Sequence, residues 1–160
     1  MRRLFYDYAT FATDLKALAK RIDEPFDGIV AIARGGMTMA HMLGEYWGIR
    51  EVFTINAVGY EGTRKLDRTW LFNPPDLDGL NRVLIVDDIA DSGQTLQEVT
   101  RRFQALYPAI LFRTATLFYK PKKSCFEPTW WQKEADDAWI DFFWSEDLNR
   151  SSEAGRPVSC

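Results

Sequence analysis

The chain has 160 residues, of which 46% are hydrophobic and 27% are charged, a composition typical of one globular domain. Its formal net charge of −3 comes from 20 basic and 23 acidic residues, so no basic excess points to a nucleic-acid partner. No stretch approaches the roughly 20 apolar residues of a membrane-spanning helix. The residues after Met1-Arg2-Arg3 lack the apolar run of a signal peptide, and Cys125 and Cys160 offer no disulfide framework, so we expect a cytoplasmic protein without a membrane partner.

The first half of the chain alternates between helix and strand signals. Apolar residues at near-helical spacing predict a helix over about 8–22. The wholly apolar run at 28–33 is too short for a helix and is rich in β-branched residues, so it indicates a buried strand. We expect a second helix over 37–47, ended by Gly48, and a second strand over 52–58.

The second half continues this alternation after an irregular stretch. Residues 60–70 are polar and charged, which indicates a mobile loop, and the two prolines in the run 73–75 indicate a turn. A buried strand is predicted at 82–86, a helix at about 96–106 and a further strand at 111–119. Strand, loop, helix and strand in this order predict parallel βαβ units.

Aromatic residues crowd the segment that follows residue 120. We expect residues 121–150 to form a small hood packed over the sheet edge, and residues 151–160 to be a disordered tail. The predicted fold class is therefore α/β, a twisted parallel sheet flanked by helices with a small C-terminal hood. We expect it to be a single domain over 1–150 with its core at about 8–120.

The segment 83–95 carries the clearest chemical signal. Four apolar residues deliver two adjacent carboxylates, Asp87 and Asp88, and a short loop then leads into a helix through Asp91-Ser92-Gly93-Gln94-Thr95. The start of a helix is an anion site, and Gly93 allows the backbone to approach a phosphate closely. Two carboxylates beside such a site suit sugar hydroxyls or a bridging Mg²⁺. Helix capping alone would explain the residues at 91 and 92 but not the acid pair.

This segment resembles the signature of the type I phosphoribosyltransferases, which bind 5-phosphoribosyl-1-pyrophosphate (PRPP). The resemblance implies that Asp87 and Asp88 hold the ribose 2′- and 3′-hydroxyls, and we take Asp88 as the candidate ligand of Mg²⁺. In the purine members, the acid at the position of Asp91 faces the purine N7 and is the proposed proton acceptor. The loop that would cradle the 5′-phosphate comprises Ala90, Ser92, Gly93, Gln94 and Thr95.

A second loop follows the strand at 28–33. A plain strand-to-helix turn would account for Arg34-Gly35-Gly36, but beside the PRPP signature the run resembles the pyrophosphate loop of the family. The resemblance implies that Arg34 neutralises the pyrophosphate and that Gly35 and Gly36 bind it. In the purine salvage members this loop contains a cis peptide, which here would be Ala33–Arg34.

Two further segments resemble the base-binding parts of the purine members. Lys120 ends the strand at 111–119, where a solvated lysine is the ordinary interpretation, but the resemblance implies that it reaches the purine O6. The run 139–144 resembles the base-binding segment of bacterial xanthine-guanine and hypoxanthine phosphoribosyltransferases. There the aromatic ring at Trp139 would stack on the base and the main chain of Ile140 would contact its edge, although a core tryptophan would explain the pattern too.

The resemblance therefore implies transfer of phosphoribose from PRPP to a 6-oxopurine, with Mg²⁺ as cofactor, in a homodimer or homotetramer. The family's mobile loop often begins Ser-Tyr, whereas this chain has Gly59-Tyr60, so its closure is expected to differ. The alternatives are another base, or a PRPP-sensing regulator without turnover. A receiver domain needs more residues after Asp88, and a P-loop would need a Gly-Lys-Ser/Thr run. We take the single histidine, His41, as structural.

Overall fold

The computed structural model describes residues 1–61 and 64–149, with only the backbone described at 60, 61 and 64–68. Strands and helices alternate through most of this range. The strands are β1 (Arg2–Tyr6), β2 (Gly28–Ala33), β3 (Val52–Glu61), β4 (Arg64–Phe72), β5 (Arg82–Ala90), β6 (Leu111–Tyr119), β7 (Trp130–Glu134) and β8 (Ala138–Phe142). The helices are α1 (Tyr8–Arg21), α2 (Met37–Trp47), α3 (Gln94–Leu106) and α4 (Phe143–Glu146).

The main sheet has the strand order β4-β3-β2-β5-β6-β7. Its neighbours pair in parallel except for β3 and β4, which pair antiparallel at one edge. The predicted fold class is confirmed, with the correction that the sheet is mixed rather than wholly parallel. Strand β2 is apolar along its length, and β5 is apolar from Val83 to Val86, as expected for parallel strands that helices cover on both faces.

Side chains that alternate along β5 divide between two hydrophobic clusters, one on each face of the sheet. Leu84 and Val86 belong to the cluster formed with α1, α2 and the C-terminal strands, whereas Val83 and Ile85 belong to the cluster formed with α3. All four are fully buried. The sheet is thus held rigidly between two layers, which fixes the positions of the loops at its carboxyl edge.

Helix α2 agrees with its predicted bounds, and α3 differs from its prediction only at the start. Helix α2 ends at Gly48, which has a left-handed φ of 68° that terminates a helix without a steric penalty. Helix α3 begins two residues earlier than predicted, at Gln94, because Gly93 with its φ of 78° takes the N-cap position. Helix α1 begins after Asp7, whose carboxylate accepts a hydrogen bond from the Thr10 amide at 2.8 Å.

The prediction of a loop over 60–70 is wrong for the described backbone. Strand β3 continues to Glu61 and β4 begins at Arg64, and the two form an antiparallel hairpin in which Val58 pairs with Trp70. Polar and charged residues are common in an edge strand because one of its faces meets solvent. Residues 62 and 63 lie outside the described residues.

The C-terminal segment divides between the two sheets rather than forming one flap. Strand β7 pairs in parallel with β6 and is an edge strand of the main sheet. Strand β8 instead pairs in parallel with the N-terminal strand β1. We call β1, β8 and α4 the hood. The contribution of β1 was not predicted, and residues 151–160 lie outside the described residues. Among the described helices, none has the length and apolar content needed to cross a membrane.

Candidate active site

The loops singled out in the sequence meet at one edge of the main sheet. Strands β2, β5 and β6 run parallel to one another, so their carboxyl ends lie side by side. Ligands in open α/β sheets bind in the crevice beyond these ends. Arg34, the acid pair and Lys120 belong to these three successive strand ends. Sheet topology thus brings together residues that are far apart in the sequence.

The acid pair lies within β5, not after it. The strand continues to Ala90, and Asp87 is paired with Thr116 of β6. The Asp88 amide donates a hydrogen bond to the Asp87 carboxylate at 2.9 Å. Both acids keep part of their surface open, although protein surrounds them on the other sides. The strand pairing therefore holds two adjacent carboxylates in fixed positions at the edge of the sheet.

The pKa values of both carboxyls are raised in this arrangement. Burial raises the pKa of Asp87 well above its ordinary value, and repulsion from the neighbouring Asp88 raises it further. Burial also raises the pKa of Asp88, to about 6. A pair of carboxylates that resists full ionisation is suited to bind hydroxyl donors or a cation, since either would stabilise the charged form.

The loop at 34–36 packs directly against the acid pair. The Ala33–Arg34 peptide is cis, as the resemblance implied. A Cβ atom at Gly35 would lie 2.5 Å from an Asp88 carboxylate oxygen, so only glycine allows this close approach. The Gly36 amide donates to the Ile32 carbonyl at 2.9 Å, which turns the chain into α2. The loop and the acid pair therefore form one surface.

The loop between β5 and α3 is shaped by its backbone. Gly93 occupies the N-cap position of α3 without a side-chain capping bond, and the Ser92 hydroxyl accepts only a long hydrogen bond, 3.4 Å, from the Gln94 amide. The alternative that Asp91 is the N-cap residue is therefore not supported. Gly93 is buried and has a positive φ, and Gln94 is the exposed first residue of the helix. The Ser92 carbonyl accepts a hydrogen bond from the Cys125 amide at 2.8 Å. The start of α3 can therefore offer its backbone amides to an anion.

Asp91 and Lys120 meet at the adjoining ends of β5 and β6. Lys120 is only 3% exposed, which rules out a solvated lysine at a strand end. Its Nζ lies 3.4 Å from Asp91 Oδ1, and its amide donates to the Ala90 carbonyl at 3.1 Å. A third residue, Lys123, places its Nζ 2.7 Å from the same oxygen. Lys123 was not predicted, because a lysine in a polar turn carries no distinguishing signal.

An open cleft of about 1180 Å³ lies beside these groups. Arg34, Gly35 and Asp88 line it, together with Gly59 of β3. A Cβ atom at Gly59 would lie 3.5 Å from Thr95 Oγ1, so the start of α3 borders the same space. Trp144, the last residue of the run that resembles the base-binding segment, also lines it. Further lining residues that the sequence did not indicate are Asn56 of β3, Ser145 of the hood and Asn149.

The predicted base-binding residues Trp139 and Ile140 lie in the hood, on β8, and are not among the residues that line this cleft. Trp139 is 52% exposed, and its indole N–H donates to the Asp141 carboxylate at 3.2 Å. Ile140 is buried and pairs with Leu4 of β1. An exposed ring excludes the alternative of a core tryptophan, whereas the stacking role of Trp139 stays a prediction.

Comparisons with known proteins agree with this arrangement. Residues 5–150 match the family model of the phosphoribosyl transferase domain. The xanthine-guanine phosphoribosyltransferase of Ruegeria sp. (strain TM1040) is 38% identical to this chain over 82% of the chain and 78% of its own length. The fold is similar to that of the Helicobacter pylori xanthine-guanine-hypoxanthine phosphoribosyltransferase, with 37% identity, a TM-score of 0.84, and coverage of 93% of this chain and 97% of the other. It is also similar to that of a purine phosphoribosyltransferase from Pyrococcus horikoshii, with 29% identity, a TM-score of 0.77, and coverage of 91% and 95%. The chain belongs to the phosphoribosyltransferase family.

Proposed function

We propose that this protein transfers the phosphoribosyl group of PRPP to a ring nitrogen of guanine, xanthine or hypoxanthine, giving the nucleoside 5′-monophosphate and pyrophosphate. The observation that carries the proposal is the buried Lys120 beside Asp91 at the edge that also holds the acid pair. A donor without lone pairs next to a carboxylate acceptor complements the O6 and N7–H edge of a 6-oxopurine. The names of the similar bacterial enzymes support the same class of base.

Each part of PRPP has a matching part of the site. Asp87 and Asp88 accept hydrogen bonds from the ribose 2′- and 3′-hydroxyls. The loop from Ala90 to Thr95, which ends in the first turn of α3, holds the 5′-phosphate with backbone amides and hydroxyl groups. Arg34 and the adjoining glycine loop face the pyrophosphate across the cleft that they share with Asp88.

In the reaction, the bond between C1′ and the pyrophosphate oxygen breaks and its electron pair leaves with the pyrophosphate. The sugar passes through an oxocarbenium-like state, and the purine nitrogen forms the new bond to C1′. The purine gives up one ring proton, for which Asp91 is the acceptor. Arg34 stabilises the charge that develops on the leaving group. Strand β3 and the hood border the cleft, and this cover limits attack by water, since hydrolysis of PRPP competes with transfer.

The acid pair fits a magnesium ion that arrives with the substrate. Among the described residues, no group of three or more acidic, histidine or cysteine side chains forms a cage for a metal. Mg²⁺ is commonly held by one or two carboxylates together with substrate oxygens, and Asp88 lines the open cleft beside Arg34 and Gly35. Asp88, beside Asp87, is therefore the proposed ligand. When bound, the ion would neutralise part of the charge of PRPP and its pyrophosphate.

The proposed function is tested by supplying PRPP and Mg²⁺ with guanine, xanthine, hypoxanthine or adenine in parallel reactions and measuring nucleotide and pyrophosphate. We expect nucleotide from at least one 6-oxopurine and little from adenine, and we expect excess EDTA to abolish turnover. PRPP binding without product from any base would indicate a regulator instead. A cytoplasmic location and a homodimer or homotetramer stay predictions.

A further inference from the structure

Of the two lysines that contact the proposed proton acceptor among the described side chains, Lys123 lies nearer. Its Nζ lies 2.7 Å from Asp91 Oδ1, whereas the Nζ of Lys120 lies 3.4 Å from that oxygen. Two ammonium groups therefore face one carboxylate. They differ in environment, since the Lys120 side chain is 4% exposed and that of Lys123 is 51% exposed.

The turn that carries Lys123 is held at both ends. The amides of Lys123 and Ser124 both donate to the Lys120 carbonyl, at 3.1 and 2.8 Å. The amide of Cys125 donates to the Ser92 carbonyl in the loop before α3, at 2.8 Å. These bonds tie the turn to the end of β6 and to the proposed phosphate loop. The backbone of Lys123 is therefore fixed relative to Asp91, at a distance from which its side chain reaches Oδ1.

The two oxygens of Asp91 are in different surroundings. Oδ1 is buried and makes no directed hydrogen bond, so its contacts with the two lysines are ion pairs set by distance. The side chain as a whole is nevertheless 30% exposed. Because Oδ1 contributes almost nothing to that exposure, the exposed part of Asp91 includes its second carboxylate oxygen or the methylene beside it. The lysines therefore lie against the inward oxygen, while part of the remaining side chain stays open to solvent.

We infer that Lys123 is a positioning residue that holds Asp91 for proton transfer while Lys120 is engaged by the purine O6. This inference rests on the proposed function. Without substrate, the ammonium groups of Lys120 and Lys123 both lie beside Asp91 Oδ1. Once Lys120 donates to the base, Lys123 is the cation that remains against Oδ1, and its shorter distance shows that it already makes the closer contact. Lys120 thus binds the base, and Lys123 positions Asp91.

The test compares three variants in steady-state kinetics with guanine and PRPP varied separately. Lys123→Met removes the charge and keeps the length of the side chain, Lys123→Arg keeps the charge, and Lys122→Met changes the adjacent exposed lysine. We expect Lys123→Met to lower kcat about threefold to tenfold, as for loss of a partly exposed ion pair with a buried acceptor. Its KM for PRPP should stay within about twofold of that of the wild type. Lys123→Arg should recover most of the loss, and Lys122→Met should match the wild type.

Ionic strength supplies a second measurement that a purely structural role would not change. Because the Lys123 side chain is half exposed, its attraction for Asp91 is screened by salt. The ratio of wild-type to Lys123→Met kcat should therefore shrink as salt is raised, while the melting temperatures of both proteins stay similar.

The outcomes separate the inference from the function on which it rests. A wild-type protein that forms no nucleotide would overturn both. An active wild type with an unaffected Lys123→Met variant would overturn this inference alone. Equal losses in Lys123→Met and Lys122→Met, or no recovery with Lys123→Arg, would also overturn it.

Discussion

Asp91 and Lys120 face each other because β5 and β6 run parallel and end in register. Ala90 pairs with Tyr119, so the next residue on each strand lies at the same edge of the sheet, and the ion-pair distance is 3.4 Å. The acceptor and the donor therefore exist as a pair only when the sheet has formed. The two residues need different tests, because Asp91 is proposed to accept a proton and Lys120 is proposed to donate a hydrogen bond to a carbonyl oxygen.

Asp91→Asn removes the proton acceptor and changes the shape of the site little. If Asp91 does general-base work, kcat should fall by about 10²–10⁴-fold, while binding of PRPP changes much less. Single-turnover rates together with PRPP binding by calorimetry distinguish the two effects. Since Gly93, not Asp91, occupies the N-cap position of α3, loss of a helix cap is not expected to contribute. An unchanged kcat would show that the side chain has no part in proton transfer.

Asp87→Ala should weaken PRPP binding, because a sugar hydroxyl loses its acceptor. The free protein should nevertheless be no less stable than the wild type at neutral pH. Burial and the neighbouring Asp88 raise the pKa of Asp87, so its ionised form is disfavoured in the folded protein. A raised KM for PRPP with an unchanged or higher melting temperature is the expected combination. A normal KM for PRPP would contradict the assignment of this carboxylate to the ribose.

The parts of the fold that were predicted correctly are those with strong local signals. The boundaries of β2, α2 and β6 agree with the sequence because their apolar runs end at clear turns or at glycine. The edge strands β1, β4 and β7 were missed, since each depends on a partner strand and has mixed polarity. In the site, the motif indicated Asp91 and Lys120, but only the folded turn brings Lys123 to the acid.

Gly93→Ala tests the shape of the loop before α3. Gly93 has a φ of 78°, and a Cβ atom there would lie 2.8 Å from the Phe126 amide nitrogen, inside the turn that follows β6. We expect a loss of about 1–3 kcal/mol in stability from the backbone conformation, with a further loss from the clash. The KM for PRPP should rise because the loop is displaced.

Gly79→Ala is the matched control for this loop. Gly79 has a φ of 90°, but a Cβ atom there would meet nothing within 4 Å. It should therefore show the backbone cost alone and bind PRPP normally. Equal KM values for PRPP in the two variants would mean that the loop before α3 does not contact the phosphate.

Asp27 provides a test of stability against pH away from the site. Its carboxylate accepts hydrogen bonds from the amides of Asn81 and Arg82, at 2.9 and 2.8 Å. Burial acts to raise the pKa of Asp27, but these bonds together outweigh it and lower the pKa. The folded state therefore favours the carboxylate, and this stabilisation is present above the unfolded pKa of about 3.9 and lost as the pH falls through the folded value.

Asp27→Asn should accordingly destabilise the protein by about 1–3 kcal/mol at pH 7, with a smaller difference below about pH 4. Urea unfolding at the two pH values measures this. Asp78→Asn, a change of an exposed acid in the nearby turn, should stay within about 0.5 kcal/mol of the wild type at both. A difference for Asp27→Asn that does not vary with pH would contradict the role of its charge.

Lys120 should decide the choice between 6-oxopurines and adenine. Its ammonium group is a donor without lone pairs, so it pairs with the O6 of guanine, xanthine or hypoxanthine, whereas adenine presents an amino group there. Because Lys120 is only 3% exposed, an unpaired group would gain little from water, and the wrong base should be rejected strongly. Stacking by Trp139 would not discriminate, since every purine offers a π face.

Lys120→Ala should therefore lower kcat/KM for guanine and hypoxanthine, and the ratio of these values to the kcat/KM for adenine should become smaller. Lys120→Met, which fills more of the same space, should show the same change in preference with less loss of stability. If the wild type uses adenine as well as guanine, or if both variants keep the full rate with 6-oxopurines, Lys120 does not read the base and the choice of substrate must lie elsewhere in the cleft.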